Sequence, residues 1–413
     1  MASLVLGMDF YEQEVYVGLW NEEEHCTKSF TVPAKSDGEH IPLFVVPLAD
    51  GSFIAGHEGI TRSIKDNCNG VSLLYGKNVR EKVEVNGMEF DISTLLAGFI
   101  GDVLSAVRKC FAGASFSRIC ITGERMNADD ERRLSDALLK LGYDRNRFFI
   151  INHANAFMRY MVCADEMRRR QRAVDIDTDS VGCEAYFFNP ADRGMGFPAY
   201  VEHMDVTQDM NVCISDIEDG EKRAEAFDTV VSHVLMQNRS VGWMYVTGKA
   251  AEDDRIKNVL RQYASASLKI FSGQNLYSSG ACYRAVNEKT KDGILSDGEV
   301  FHSVSVEGYK DAVIDAIPLV SAGCPLKEAK NKITMIPDNA DKIVFRIKDA
   351  RNGRSETINF PLEGLLNPEN KTNRIEITVR FPDIKTLVIK VRDLGFGDIF
   401  HASYRVFEQT IML

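Results

Sequence analysis

Two aspartates at predicted strand ends are the residues of this sequence best placed for chemistry. Asp9 follows Gly7 at the end of one strand-like run, and Asp177 ends a similar run near the middle of the chain. A turn and a second strand-like run follow each of them, so each predicts a carboxylate at the tip of a hairpin. Two carboxylates on opposed hairpins are the arrangement that holds magnesium and a triphosphate. Asp9 and Asp177 are therefore candidate metal ligands.

The segments around Asp9 alternate between predicted strands and helices. Residues 95–111 have the apolar spacing of a helix, and residues 129–141 begin with acids and end before Gly142, as helices prefer. The remaining predictions for this part are hairpins at 3–8 with 14–20 and at 44–47 with 52–55, strands at 118–122 and 148–152, and a helix at 155–170.

A similar pattern follows Asp177. The predictions here are a hairpin at 172–176 with 184–188, helices at 218–237, 253–263 and 279–286, and a strand at 241–247. Two similar halves argue for a duplicated α/β unit with a cleft between them, and open α/β sheets bind ligands at such a crevice. We expect a first lobe at residues 1–171 and a second, reduced lobe at residues 172–290.

The character of the sequence changes after residue 287. Residues 288–298 are polar and charged and predict a linker. Short alternating runs then follow, with turn signals between them, and they predict an all-β, sandwich-like domain at residues 299–413. The predicted strands are residues 301–306, 312–320, 343–347, 374–381, 386–391 and 401–410.

Composition excludes several classes of function. The chain has 413 residues and a net charge of −11, which argues against nucleic-acid binding, and the basic run Met167–Arg172 is typical of a solvated helix end. Nine scattered cysteines without a Cys-x-x-Cys pair are typical of a reducing compartment. With no basic leader and no apolar stretch long enough for a bilayer, we expect a cytoplasmic protein that does not bind membranes.

Short motifs in a fixed order resemble the actin and DnaK-type (seventy-kilodalton heat-shock) chaperone ATPase superfamily across roughly the first 290 residues. The motifs are Gly7-Met8-Asp9, Ile41-Pro42, Ile121-Thr122-Gly123, Ile150-Ile151-Asn152-His153, Val246-Thr247-Gly248 and Ser279-Gly280-Ala281. The resemblance implies a duplicated actin-like (ribonuclease-H-like) two-lobe ATPase fold that binds ATP or ADP with magnesium. It also implies nucleotide contacts by Gly7, Asp9, Asp177, Gly182 and Gly248. Lys77 aligns with the catalytic lysine of the family.

The departures from the family pattern affect the phosphate-binding loops. Tyr11-Glu12-Gln13 replaces Gly-Thr-Thr in the first loop, and Asp179 adds an acid to the second. His153 aligns with the glutamate that positions the attacking water, and we interpret it as a helix-start residue. Because the glycines that admit phosphates are missing, we favour Asp9 and Asp177 as turn-capping acids over magnesium ligands. Lys77 is interpreted as a surface lysine.

Two functions follow from this sequence. The first is a non-catalytic or nearly inactive nucleotide-binding fold that serves as a protein-interaction scaffold, with a protein partner on its β-domain. The alternative is a slow Mg-ATP switch that uses Asp9, Asp177 and Lys77 and carries a chaperone-like peptide-binding β-domain. Residues 312–319 faintly resemble the strand that opens the peptide-binding sandwich of the chaperones, although we favour an ordinary β-sandwich here. The sequence leaves the partner and the oligomeric state open.

Overall fold

A computed structural model of the chain describes residues 3–73, 81–111, 114–163, 165–237, 240–286, 293–310, 313–338, 340–362, 373–397, 400–403 and 405–413. Lys77 lies outside the described residues. The fold is mixed α/β with several sheets. The chain divides into two units, Met1–Pro190 with Val201–Lys291 and Ala191–Tyr200 with Asp292–Leu413.

Two mixed sheets with the same strand order organise the first unit. The first sheet has the order β11-β10-β1-β2-β3, and the second has the order β16-β15-β12-β13-β14. The strands of this unit are β1 (Ser3–Tyr11), β2 (Glu14–Asn21), β3 (Cys26–Ser29), β4 (Ile41–Pro42), β5 (Phe44–Pro47), β6 (Phe53–Ala55), β7 (Val71–Ser72), β8 (Lys82–Val85), β9 (Met88–Asp91), β10 (Ser115–Gly123), β11 (Phe148–Asn152), β12 (Arg172–Thr178), β13 (Cys183–Asn189), β14 (Ala199–Asp205), β15 (Val241–Gly248) and β16 (Lys269–Ser272).

The two sheets also share their strand directions. In the first sheet β1 runs antiparallel to β2 and parallel to β10, and β10 runs parallel to β11. In the second sheet β12 runs antiparallel to β13 and parallel to β15, and β15 runs parallel to β16. The central strands β1 and β12 therefore occupy equivalent positions, and Asp9 and Asp177 lie near their carboxyl ends.

Helices cover the sheets, and this explains why the central strands are buried on both faces. The helices are α1 (Gly56–Asp66), α2 (Ile92–Cys110), α3 (Ala128–Lys140), α4 (His153–Cys163), α5 (Glu166–Arg169), α6 (Val206–Met210), α7 (Gly220–Gln237), α8 (Asp254–Tyr263) and α9 (Leu276–Val286). The hydrophobic residues of α2 and α3 pack on β1 and β10 in one core, and those of α7 and α8 pack on β12 and β15 in another.

The second unit contains two four-stranded antiparallel sheets, with orders β19-β18-β21-β22 and β20-β23-β24-β25. Buried residues from both sheets, including Phe345 and Ile389, form one hydrophobic cluster. The strands are β17 (Ile294–Leu295), β18 (His302–Lys310), β19 (Val313–Val320), β20 (Lys330–Met335), β21 (Lys342–Asp349), β22 (Ser355–Pro361), β23 (Ile375–Asp383), β24 (Thr386–Asp393) and β25 (Val406–Met412). β17 pairs with Ala199 and Tyr200, the first two residues of β14, which belong to this unit while the rest of β14 belongs to the first.

Two predicted elements differ most from the structure. The helix expected at 155–170 begins at His153 and ends at Cys163, and α5 starts separately, because the Asp165 side chain caps the Arg168 N–H of a new turn. The strand expected at 401–410 begins only at Val406, because the backbone N–H of Ser403 donates to Asp393. No helix in the described part of the chain has the length and apolarity needed to cross a membrane.

Candidate functional site

A histidine joins the two candidate aspartates. The His153 Nε2 atom lies 2.8 Å from Asp9 Oδ1, and its Nδ1 atom lies 2.9 Å from Asp177 Oδ2. The side chain of His153 is fully buried, and both aspartates are almost fully buried. The strand ends of β1 and β12 and the first residue of α4 therefore meet at one point.

Proton sharing accounts for this arrangement. Burial would lower the pKa of His153, but Asp9 and Asp177 outweigh it and raise the pKa to about 10. Burial raises the pKa of Asp9, against the opposing effect of His153. With His153 protonated, each ring nitrogen donates to one carboxylate, and the three groups together carry a single net negative charge. We describe them as an imidazolium held between two carboxylates.

Two tyrosines enclose the imidazole ring. The Tyr277 ring stacks on it with a centroid distance of 3.6 Å, and the Tyr11 ring lies parallel on it at 6.3 Å. The Tyr277 hydroxyl donates to Asp175, whose pKa is raised to about 8 by burial and by the charge of Asp177. Aromatic faces attract a cation, so this stacking favours the protonated form of His153.

The hairpin loop after β12 directs its backbone N–H groups to carboxylates of the protein. Ser180 N donates to Glu12, and Val181 N and Gly182 N donate to Asp179 Oδ1. Successive backbone N–H groups in such a loop form an anion-binding concavity. Here three consecutive donors are already occupied by side-chain anions.

Further contacts join the two sheets beside this loop. The Tyr11 hydroxyl donates to the carbonyl of Thr178, and Lys249 Nζ lies 2.8 Å from Glu12 Oε2. Glu12 has a φ of 49°, a left-handed conformation that is strained for a residue other than glycine. A strained backbone conformation persists where surrounding contacts hold the residue in place. The contacts of Glu12 with Lys249 and Ser180 hold it in this conformation.

Arg125 provides a second connection between the two sheets. Its Nε atom lies 2.7 Å from Asp179, and its Nη1 atom lies 2.9 Å from Glu184. Burial raises the pKa of Asp179 to about 6. Burial would also raise the pKa of Glu184, but hydrogen bonds from His203 and Tyr186 and the charge of Arg125 lower it to about 2. Ion pairs therefore join the two sheets beside the hairpin loop.

The three candidate glycines serve close packing. A Cβ atom on Gly7 would overlap the carbonyl of Ser278 in α9, and one on Gly182 would overlap the Thr207 hydroxyl. Gly248 has a φ of +71°, and a Cβ there would overlap both the Thr178 carbonyl and the Tyr11 hydroxyl. Chain atoms thus occupy the space beside all three glycines.

The structure corrects the interpretation of the two aspartates. The carboxylates of Asp9 and Asp177 were expected to cap hairpin N–H groups, but their hydrogen bonds go to His153 and, for Asp177, also to Thr247. His153 does begin α4, yet its side chain is also the centre of the site. The alignment of His153 with a catalytic glutamate was the one sequence signal that could have identified this role.

The chemistry of this donor set does not fit magnesium and nucleotide. Both carboxylates already accept from the imidazole, and the loop N–H groups already donate to Glu12 and Asp179. Among the described residues there is no group of three or more His, Cys, Asp or Glu side chains arranged to hold a metal ion.

Comparison with sequence families divides the chain into two matched regions. Residues 27–297 match the C-terminal region of a family of unknown function, DUF5716. The chain belongs to the DUF5716 family. Residues 299–413 of this DUF5716 member match a domain of unknown function, DUF8552, which contains most of the second unit. A search of curated proteins found no match.

Proposed function

We propose that the first unit is a divergent actin- and DnaK-like nucleotide-binding fold whose cleft is closed by its own side chains. We further propose that the protein is a non-catalytic scaffold for protein interactions. The repeated strand order and directions of the two sheets support the duplicated fold, because both halves place an aspartate at the end of the central strand. The Asp9–His153–Asp177 bridge is the observation that carries the proposal.

The bridge argues against hydrolysis on electrostatic grounds. In a magnesium–triphosphate site, carboxylates face the metal and its waters, and backbone N–H groups face the phosphates. Here an imidazolium takes the position between the carboxylates, and Glu12 and Asp179 take the N–H groups. A triphosphate would have to displace these carboxylates and would meet their negative charge.

The test is a thermal titration with Mg-ATP and Mg-ADP. Both tryptophans, Trp20 and Trp243, belong to the first unit, so their fluorescence reports the unfolding of that unit alone. A ligand at one hundred times its Kd stabilises the native state by about 2.7 kcal/mol, which corresponds to a shift of roughly 5–10 °C for a domain of this size. We expect no shift at millimolar nucleotide.

An Asp177→Ala variant is the control for this titration. A nucleotide-dependent rise in the melting temperature that this variant loses would refute the closed cleft and favour the Mg-ATP switch. A rise that the variant retains would place the nucleotide outside this cleft, which is compatible with a closed cleft.

A further inference from the structure

The free edge of the second sheet carries an unusual combination of side chains. β16 is the last strand of that sheet in the described chain, and its only described strand partner is β15. Side chains alternate along a strand, so Lys269 and Phe271 share one face while Ile270 lies on the other, against the hydrophobic core. The β16 edge therefore presents a basic side chain and an aromatic ring two residues apart.

Phe271 is exposed but held in place by neighbouring rings. Its side chain is 44% exposed, and its ring stacks on those of Trp243 and Tyr245 at centroid distances of 5.5 Å. Trp243 is only 5% exposed, and its indole N–H has no hydrogen-bond partner among the described residues. Phe271 is thus a rigid apolar anchor, the type of residue that dominates binding at protein interfaces.

Arg168 completes this surface. Its guanidinium lies 5.4 Å from the centroid of the Trp243 ring and 5.8 Å from that of Phe271. The Nε atom of Arg168 lies 2.8 Å from Asp165, which shows that a carboxylate can reach the guanidinium while it lies over the rings. A guanidinium fixed in this way is well suited to a second carboxylate.

The local charge is opposite to that of the whole chain. The protein has a net charge of −11, yet the charged residues near the Lys269 end of this edge are mainly basic, and the acidic residue Glu252 lies toward its other end, where the Ser272 hydroxyl donates to the Ala251 carbonyl. The basic residues there are Arg168, Arg169, Arg170, Arg172 and Lys269, and the acidic residues there are Asp165 and Glu166. A basic patch in an acidic protein favours an acidic occupant.

We propose that the β16 edge, defined by Lys269, Phe271, Trp243 and Arg168, binds an extended acidic segment of a partner protein. The segment pairs with β16 as an added strand and places a carboxylate beside Lys269 and Arg168. An apolar side chain two residues away lies against Phe271 on the same face. Main-chain pairing supplies affinity and the alternating side chains supply specificity, as in other strand-addition complexes. This inference does not depend on whether the cleft binds nucleotide.

Peptide is favoured over single-stranded nucleic acid at this edge. Nucleic acid requires a long positive groove and several exposed rings on which bases stack. Only one ring of this stack is substantially exposed, and the net charge of the chain is strongly negative. An oligonucleotide is therefore a competing outcome of the test.

The experiment measures binding of fluorescent peptides to the full chain by polarisation. The probes are peptides of about ten alternating threonine and valine residues with Asp and Phe two positions apart, a spacing that matches one face of a strand. Matched probes carry Lys in place of Asp, or Ala in place of Phe, or N-methyl groups on alternate amides. We expect micromolar binding of the Asp–Phe probe and at least tenfold weaker binding of all three matched probes.

Variants of the chain locate the site. Phe271→Ala and Arg168→Gln should each weaken binding of the Asp–Phe probe at least tenfold. Phe396→Ala should not, and it is a matched control because that ring is 43% exposed in the second unit. Asp165→Asn retains a helix-capping side chain but removes the internal competitor of Arg168, so it should tighten binding several-fold. Unchanged tryptophan-monitored melting confirms that each variant is folded.

Three results would overturn the proposal. The first is no binding of the Asp–Phe probe at millimolar protein. The second is equal binding by the wild type and Phe271→Ala. The third is that the wild type binds a poly-dT oligonucleotide more tightly than it binds the Asp–Phe probe, and that the Arg168→Gln variant binds the oligonucleotide more weakly.

Discussion

Replacement of His153 by alanine tests the central feature of the site. The substitution removes the imidazolium and leaves Asp9 and Asp177 facing each other in a fully buried space. It also removes the ring on which Tyr277 stacks. We expect a large loss of stability in the first unit, because a buried charge left without its partner is strongly unfavourable.

Three ways of counting the same contacts give a similar order of magnitude for this loss. Breaking a buried ion pair by removing one partner costs about 3–5 kcal/mol. Two hydrogen bonds to charged groups contribute roughly 1.5–3 kcal/mol each. A rise in the pKa of His153 from 6.5 to about 10 corresponds to about 5 kcal/mol at roughly 1.4 kcal/mol per pKa unit. We therefore expect a loss of about 3–5 kcal/mol in the free energy of unfolding at pH 6.

Urea denaturation at pH 6, followed by tryptophan fluorescence, measures this loss in the first unit. The corresponding fall in melting temperature is about 6–20 °C. His57→Ala is the matched control, because His57 is exposed, and its effect should stay within about 0.5 kcal/mol. A His153→Ala variant that loses less than about 1 kcal/mol would show that the bridge contributes little and would refute this reasoning.

Three further predictions concern the same cleft. Because its pKa is raised, protonated His153 contributes fully to the stability of the first unit below about pH 6.5, and this contribution is lost as the pH rises to about 10. The raised pKa of Asp175 lowers stability in the same direction up to about pH 8. The urea midpoint should therefore fall across this pH range, and it should fall less steeply in His153→Ala. Gly248→Ala should lower the free energy of unfolding by about 2–5 kcal/mol in urea denaturation. Gly142 also has a positive φ but has open space around it, so Gly142→Ala should lower it by only about 1 kcal/mol. Equal losses in the two variants would contradict the packing argument. Tyr11→Phe should cost about 1–2 kcal/mol by the same measurement, because a buried carbonyl loses its donor, and no loss would mean that the contact is dispensable.

The sequence was sufficient for most elements with strong periodicity. The hairpin of β1 and β2, the helix α2 and the strand β11 were all predicted within a few residues, because their apolar spacing repeats over several positions. The strands β14 and β16 were not predicted. β16 has only four residues, three of them exposed, so it carries no pattern that separates it from a loop.

The candidate site was predicted in position but not in chemistry. Strand-end aspartates predict two carboxylates in one cleft, and the structure brings Asp9 and Asp177 together. What lies between them depends on the start of α4, a long-range packing relationship that local periodicity cannot provide. The same limit applies to Glu12, whose acidic side chain predicts repulsion of a phosphate but does not reveal its contact with Ser180 of the other sheet.

Under the proposed function, the substitutions in the loops form one consistent set. A nucleotide site of this superfamily needs anions at the backbone N–H groups and a cation between the two aspartates. Glu12 and Asp179 supply the anions, and protonated His153 supplies the cation. Each of these substitutions alone would leave a charge or a donor unpaired, whereas together they pair the carboxylates with the imidazolium and the loop N–H groups with carboxylates. A closed cleft of this kind keeps the two halves in one arrangement without ligand, which is the property that a scaffold requires.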